Sequence, residues 1–346
     1  MSHLLSISML VFLTVAAAQG QQAPAPIQAA VTDVLTAEAV LAMVRKGEFS
    51  DDVSAKILEV LTSKAAAEPT NVDWQIGLAL WNVRTRNFIL ARDIARRATE
   101  LAPESSQAWS TCGTVIFMGI NDAPTLDKMG LADDGKDAYL QAVQLDANNI
   151  EARQGLAQFY INAPGIAGGS LKKAREQGNA LLQIKGCEFQ GRLVLGMIEA
   201  EDDEYENAAK EFSLARDVAA NTDEKLIAIS ARANMLLSKK EDYKATIALI
   251  TPLVDSFGVD GWRLLYFRGQ AHRELKNWAA AQADFEAIIA KKPDARNSRF
   301  GLGEVLRKQR KYAEAAKTFR EFAKLFPTDE RAKKAIEEAE DCDGRS

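Results

Sequence analysis

Histidine is nearly absent: the 346 residues hold two, His3 and His272. That scarcity excludes a multi-histidine metal site and leaves any serine or cysteine nucleophile without an evident base, since both kinds of triad need an imidazole. Cysteine is equally sparse, at three. Cys112, Cys187 and Cys342 are odd in number and far apart, so no disulfide framework is indicated, and Cys112, among small and apolar neighbours, reads as an inert buried thiol. Neither sign of charge dominates. With 43 basic and 48 acidic side chains the net charge is −5, which favours neither nucleic acid nor an anionic bilayer as partner of the chain as a whole, although local patches can still be basic. Carboxylate-only chemistry survives these exclusions, because a Glu of raised pKa can act as general acid alone. Such a glycan-cleaving domain would need a long stretch outside the internal repeat, and the longest such segments are the leader with its linker and one insertion of about ten residues.

The first twenty residues also lack Asp, Glu, Lys and Arg, and 4–18 is an apolar run of signal-peptide length. Small residues at Ala16, Ala18 and Gly20 offer cleavage points. The sequence is therefore expected to divide into a signal peptide over 1–20, a flexible linker over 21–35 and a helical array over 36–346. The expected location is periplasmic or secreted, with no stable membrane span once the leader is gone. A retained anchor is the alternative, although a spanning helix prefers about 20 apolar residues.

What the chain does have is a period. Gly269, Trp278, Ala281, Phe285 and Pro293 recur 34 residues later as Gly303, Tyr312, Ala315, Phe319 and Pro327. The residue types have a physical reading. Glycine in a first helix lets a second cross closely. An aromatic opens the second helix, Ala and Phe four apart on its face interlock with the first, and proline stops it. Upstream, Gly196, Tyr205, Ala208 and Phe212 reproduce the same spacing, Ala233, Leu237 and Tyr243 give a weaker copy, and Trp74, Trp81, Ala91 and Pro103 form another with one extra residue in its turn. Trp109, Gly113, Tyr139 and Ala142 mark another, as do Leu156, Tyr160 and Ala174. Seven pairs are expected, beginning near 71, 106, 150, 189, 227, 262 and 296, after a degenerate pair over 36–69 and before a solvating helix over 329–341.

This pattern resembles the tetratricopeptide repeat (TPR) family, and the resemblance covers most of the chain. It implies an all-α solenoid of antiparallel helix pairs that binds a protein or peptide partner, with no cofactor and no catalysis. In that family, positions 2, 5, 9 and 12 of each repeat line the concave face. Carried over, they are Arg263, Tyr266, Gln270 and Arg273, then Asn297, Phe300, Glu304 and Arg307: a mixed basic and aromatic strip suited to an acidic or C-terminal peptide. The lysine and asparagine of the chaperone-tail clamp are missing. Gln75, Ser110, Gln154, Leu193, Ala231, Tyr266 and Phe300 hold the position where that lysine belongs.

Two consecutive pairs carry insertions between their helices, about ten residues within 119–134 and about five within 162–169. Inserted loops at one place in the repeat emerge on one edge and are candidates for binding, with Pro164, Gly165, Ile166, Gly168 and Gly169 at the second. That loop resembles a proline-glycine loop of a group of bacterial TPR proteins. It is no phosphate loop, because Ser170 stands where a lysine should. The acids Asp127, Asp133, Asp134 and Asp137 lack the spacing of a calcium loop. Two further readings stay open: a receptor for an anionic solute accessory to a transporter, and the glycan-cleaving enzyme.

Overall fold

The computed structural model describes residues 51–345 except 328, together with Val40, Leu41 and Val44. The expected signal peptide, the linker and much of the degenerate first helix lie outside the described residues. Among the described residues there are sixteen α-helices and no strand, the all-α solenoid class that the period implied. The chain divides into two compact units, one up to Ile198 and one from Glu199.

In the first unit, α1 (Asp51–Ala67) precedes two pairs, α2 (Val72–Arg84) with α3 (Phe88–Leu101) and α4 (Ser106–Gly119) with α5 (Lys128–Leu145). A third pair is α6 (Ile150–Asn162) with α7 (Leu171–Gln183), and α8 (Glu188–Glu201) runs to the division. The sequence starts α2, α4 and α6 deliberately. Asn71, Ser105 and Asn149 each accept a hydrogen bond from a backbone N–H of the opening turn, at 3.2, 3.2 and 2.8 Å. Such caps satisfy donors that the helix leaves free.

The second unit holds α9 (Tyr205–Val218), α10 (Thr222–Asn234), α11 (Tyr243–Ser256), α12 (Leu265–Glu274), α13 (Trp278–Lys291), α14 (Arg296–Lys308), α15 (Tyr312–Leu325) and α16 (Ala332–Asp343). Two irregular segments bracket α11. A five-residue π-turn, Met235–Lys239, continues α10, and a 3-10 segment, Gly258–Leu264, leads into α12. Here the helices part from the simple period, since α10 opens at Thr222 and the α-helical part of α12 opens at Leu265.

Five helix-to-helix turns share one backbone device. Arg86, Asp203, Glu241, Lys276 and Arg310 all have positive φ, between 52 and 64°, although none is glycine. The residue after each donates its N–H back across the turn: Asn87 to Asn82 at 2.8 Å, Asn277 to His272 at 2.8 Å and Lys311 to Leu306 at 3.0 Å, for instance. This is the left-handed C-terminal stop that closes a helix with its carbonyls satisfied. An aromatic then opens the second helix in every case, as Phe88, Tyr205, Tyr243, Trp278 or Tyr312.

The interlock of glycine and ring is direct. A Cβ built on Gly269 would come 3.0 Å from Phe285, and one on Gly303 would come 2.6 Å from Phe319. In the first unit, Cβ atoms on Gly113 and Gly155 would both strike Tyr139, which is fully buried between them. Close-packed interiors leave no slack for either methyl.

Candidate partner-binding surfaces

The strip read from the sequence is carried by α12, α14 and the segment just before them. Arg263, in the 3-10 segment, is partly exposed and its Nη1 lies 2.5 Å from Asp223 Oδ1. Arg273 on α12 reaches across to α14, where its Nη1 donates to Glu304 Oε2 at 2.9 Å, while its Nη2 donates to Glu274 at 2.9 Å. Arg307 on α14 forms an ion pair with Glu338 on α16, Nε to Oε2 at 3.0 Å. Asn297 accepts from Arg331 Nη2 at 3.0 Å. Each cation of the strip thus stands against a carboxylate of the same unit.

The remaining members differ in depth. Tyr266 is partly buried with its ring edge-on to Phe267 at 5.9 Å. Gln270 is buried, and its Oε1 has no hydrogen-bond partner. Phe300 is 6% exposed and packs edge-on against Phe319 and Phe322 at 5.6 and 5.2 Å, so it serves the core more than an open surface. The guanidinium of Arg331 and the ammonium of Lys334 sit over its ring at 5.2 and 5.5 Å. Five of the seven residues at this repeat position are buried, Gln75, Ser110, Gln154 and Leu193 along with Phe300, while Ala231 and Tyr266 are partly buried.

Sequence reasoning missed the contribution of α16. It reads as a solvating helix, yet Arg331 before it and Lys334 and Glu338 on it follow Asn297, Phe300 and Glu304 by 34 residues each. They extend the same strip by one step, and that spacing was the available signal. Asp329 locks the entry to α16. It is 5% exposed and accepts from Arg331 through N, Nε and Nη2 at 2.9, 2.9 and 3.0 Å, with Arg296 3.4 Å away. Burial raises the pKa of that carboxyl, but the hydrogen bonds and charge of Arg331 outweigh it and leave it below its ordinary value.

The second candidate surface is the inserted edge of the first unit. Pro164 precedes a 3-10 turn, Gly165–Ala167, and Gly168 closes it at φ 91°. Gly169 N donates to Pro164 O at 3.1 Å, and Ser170 N donates to Tyr160 O at 2.8 Å. A Cβ on Gly169 would run into Ala163 O, so this glycine is a close-approach requirement. Ile166 projects at 98% exposure. The longer insertion is only partly loop. It forms a 3-10 turn, Ile120–Asp122, and then α5 begins at Lys128 and runs for 18 residues, taking the rest into helix. Its side chains tie back to the preceding pair, with Arg86 Nη2 2.9 Å from Asp122 Oδ1.

Burial shifts the thiols and the one described imidazole. Burial lifts the Cys112 thiol to about 11, and burial also raises Cys187 and Cys342. Burial lowers His272, helped by Arg268 and opposed by Asp284. Among the described residues no cluster of three or more His, Cys, Asp or Glu side chains could hold a metal ion, and no helix is long and apolar enough to cross a membrane.

Residues 266–330, which span α12 to α15, match the family model described as tetratricopeptide repeat. That segment carries tetratricopeptide repeats, the family that the internal period resembles. No curated protein matches this sequence. Solved structures similar to this chain include yeast Tom70, at 14% identity and TM-score 0.70 over 97% of this chain and 69% of that one. A tetratricopeptide repeat protein from Parabacteroides merdae matches at 17% identity and TM-score 0.51, over 78% of this chain and 98% of its own. The APC/C hetero-tetramer Cut9–Hcn1 matches at 14% identity and TM-score 0.48 over 87% of this chain, which spans 55% of that chain's length. At these identities the likeness to Tom70 and to the Parabacteroides protein is one of fold.

Proposed function

We propose that this TPR protein is an exported scaffold, periplasmic or secreted, which holds a protein or peptide partner on the strip of α12, α14 and α16 and catalyses nothing. The TPR fold is in general a protein-interaction scaffold, and the observation that carries the finer reading is the ladder of exchangeable ion pairs along that strip. Arg263, Arg273 and Arg307 are each satisfied by a partly exposed carboxylate, so none of these three cations is bare in the free protein. An acidic segment can take over these guanidinium groups one by one, because arginine accepts a carboxylate in a planar fork.

Exchange of one carboxylate for another yields little net energy at a partly exposed site, about 0.5 to 1 kcal/mol per pair. Charge therefore sets register and selects acidic partners, while apolar contact supplies most of the affinity. The test is capture of a partner from envelope extract by the tagged chain, compared with the variant R263E/R273E/R307E. Binding of an acidic peptide should weaken by roughly tenfold to a hundredfold in the triple variant, from about 0.5 to 1 kcal/mol at each position. Unchanged capture would remove the strip from the function.

A further inference from the structure

The inserted edge of the first unit holds four of the five most exposed large apolar side chains among the described residues, the fifth being Val259 of the second unit. Leu126 and Ile166 are 95% and 98% exposed, Ile89 is 70% and Met129 65%. They come from the within-pair turns α2/α3, α4/α5 and α6/α7 and the helix starts that follow them, which the packing holds side by side. Arg86 bonds Asp122 at 2.9 Å, and Gly119 lies under Phe88, where a Cβ would come within 2.7 Å. The rings of Phe117 and Phe159 stand 5.9 Å apart, and Gly168 lies beneath Phe159, where a Cβ would sit at 3.7 Å.

Charge on this edge runs against that of the whole chain. Within 86–92, 119–129 and 163–173 the cations are Arg86, Arg92, Lys128, Lys172 and Lys173, and the acids are Asp122 and Asp127 alone, while the full chain carries −5. Between the first two turns lies a cavity of about 210 Å³ lined by Arg86, Phe88, Ile89, Arg92, Asp122 and Pro124 among others. Its lining sets the Arg92 guanidinium and an apolar wall beside the Arg86–Asp122 ion pair.

We propose that this edge docks on an anionic lipid surface, with Leu126, Met129 and Ile166 entering the acyl boundary and Arg92, Lys128, Lys172 and Lys173 meeting headgroup phosphates. Isolated protruding tips separated by polar backbone give a folded partner no continuous groove to match. A fluid interface takes tips at any spacing, and cations flanking apolar tips are what such an interface attracts. The inference does not depend on the strip of α12, α14 and α16.

The three cysteines are all buried, so a cysteine introduced at the edge can be labelled selectively with an environment-sensitive fluorophore. The full chain carrying L126C, I166C or, in the exposed turn between α5 and α6, A147C is mixed with phosphatidylcholine vesicles with and without phosphatidylglycerol. Labels at 126 and 166 should shift to the blue and brighten severalfold with phosphatidylglycerol present, the label at 147 should not, and R92E/K128E/K172E/K173E should abolish the response. Because each label reports its own surroundings, attachment through the apolar leader would leave 126 and 166 in water. That result overturns the proposal, as does an equal response at 147. A response at 126 and 166 that appears only when a second protein is added also overturns it and assigns the edge to protein docking.

Discussion

In the pair α12/α13, Gly269 stands 16 residues before Phe285, whereas in α4/α5 Gly113 stands 26 residues before Tyr139. On the far side the spacing is 16 in both, to Gly301 and to Gly155. Each ring is fully buried between two glycines. The extra residues of the inserted pair leave the contact intact because they are consumed by a 3-10 turn and a longer α5. The layer, not the spacing, is what the fold protects.

The two layers differ in one atom. Phe285 brings no polar group inside, but Tyr139 buries a hydroxyl, and the structure supplies its partner: Tyr139 Oη lies 3.1 Å from Thr114 Oγ1, which donates to Glu151 Oε1 at 2.6 Å. Burial drives the phenol pKa far above its ordinary value, so it stays protonated. Phe117 stacks on its face with centroids 5.6 Å apart and planes 8° apart. A tyrosine in the ring position therefore requires a hydroxyl and a carboxylate on the flanking first helices, a linkage between positions that the phenylalanine layers do not need.

The largest test of this comparison is Gly155→Ala. Its methyl would overlap the Tyr139 ring, and overpacking here should cost about 3 kcal/mol in urea denaturation. Gly301→Ala, where a Cβ meets Phe285 at 3.1 Å, should cost about 1 kcal/mol. Equal losses would show that the two layers are equally tight. Next in size is the hydroxyl. Phe319→Tyr places one in a layer built for none and should cost about 2 kcal/mol, whereas Tyr139→Phe should cost about 1 kcal/mol, since Thr114 keeps Glu151. A cost of Tyr139→Phe above that of Phe319→Tyr would break the comparison.

Smaller effects belong to the turns and to titration. Arg310 sits at φ 64°, where an L side chain is strained, so Arg310→Gly should gain about 0.5 kcal/mol after the added freedom of the unfolded chain is subtracted. Any loss would mean that the Arg310 side chain has a role of its own. Finally, burial holds the His272 pKa below its unfolded value. The unfolded chain then takes up the proton first as pH falls, so stability is full above the unfolded pKa and declines through the folded one. The urea midpoint should drop slightly between about pH 7.5 and about pH 5, and His272→Gln should flatten that slope.

Much of this was legible in the residues. Gly, aromatic and Ala positions at one offset gave the paired helices, because steric fit at a crossing leaves few substitutes. The left-handed turns were not legible, since Arg86, Asp203, Glu241, Lys276 and Arg310 share no side-chain character and owe their φ to the helices they join. Nor was the pairing of the strip. Position in the repeat placed Arg273 and Arg307 on first helices, but their carboxylate partners lie one repeat away, at Glu304 on α14 and Glu338 on α16. Glu338 appears only when the 34-residue register is followed into α16. The pair α10/α11 looked weak in sequence because its first helix ends in a π-turn, which shifts the register that a fixed period needs.

That irregular stretch has a mechanical consequence. The 3-10 segment Gly258–Leu264 begins with a glycine at φ 54°, and beyond it the buried residues from Leu265 to Cys342 form one apolar core around Phe285, Phe319 and Phe322, with Val254 and Trp262 packed at its edge. In an array held by nearest neighbours, tension or heat parts the weakest joint first. A gene fragment opened at Gly258 would yield a free-standing miniature of the array's tail, four helices and a lid, able to melt on its own schedule.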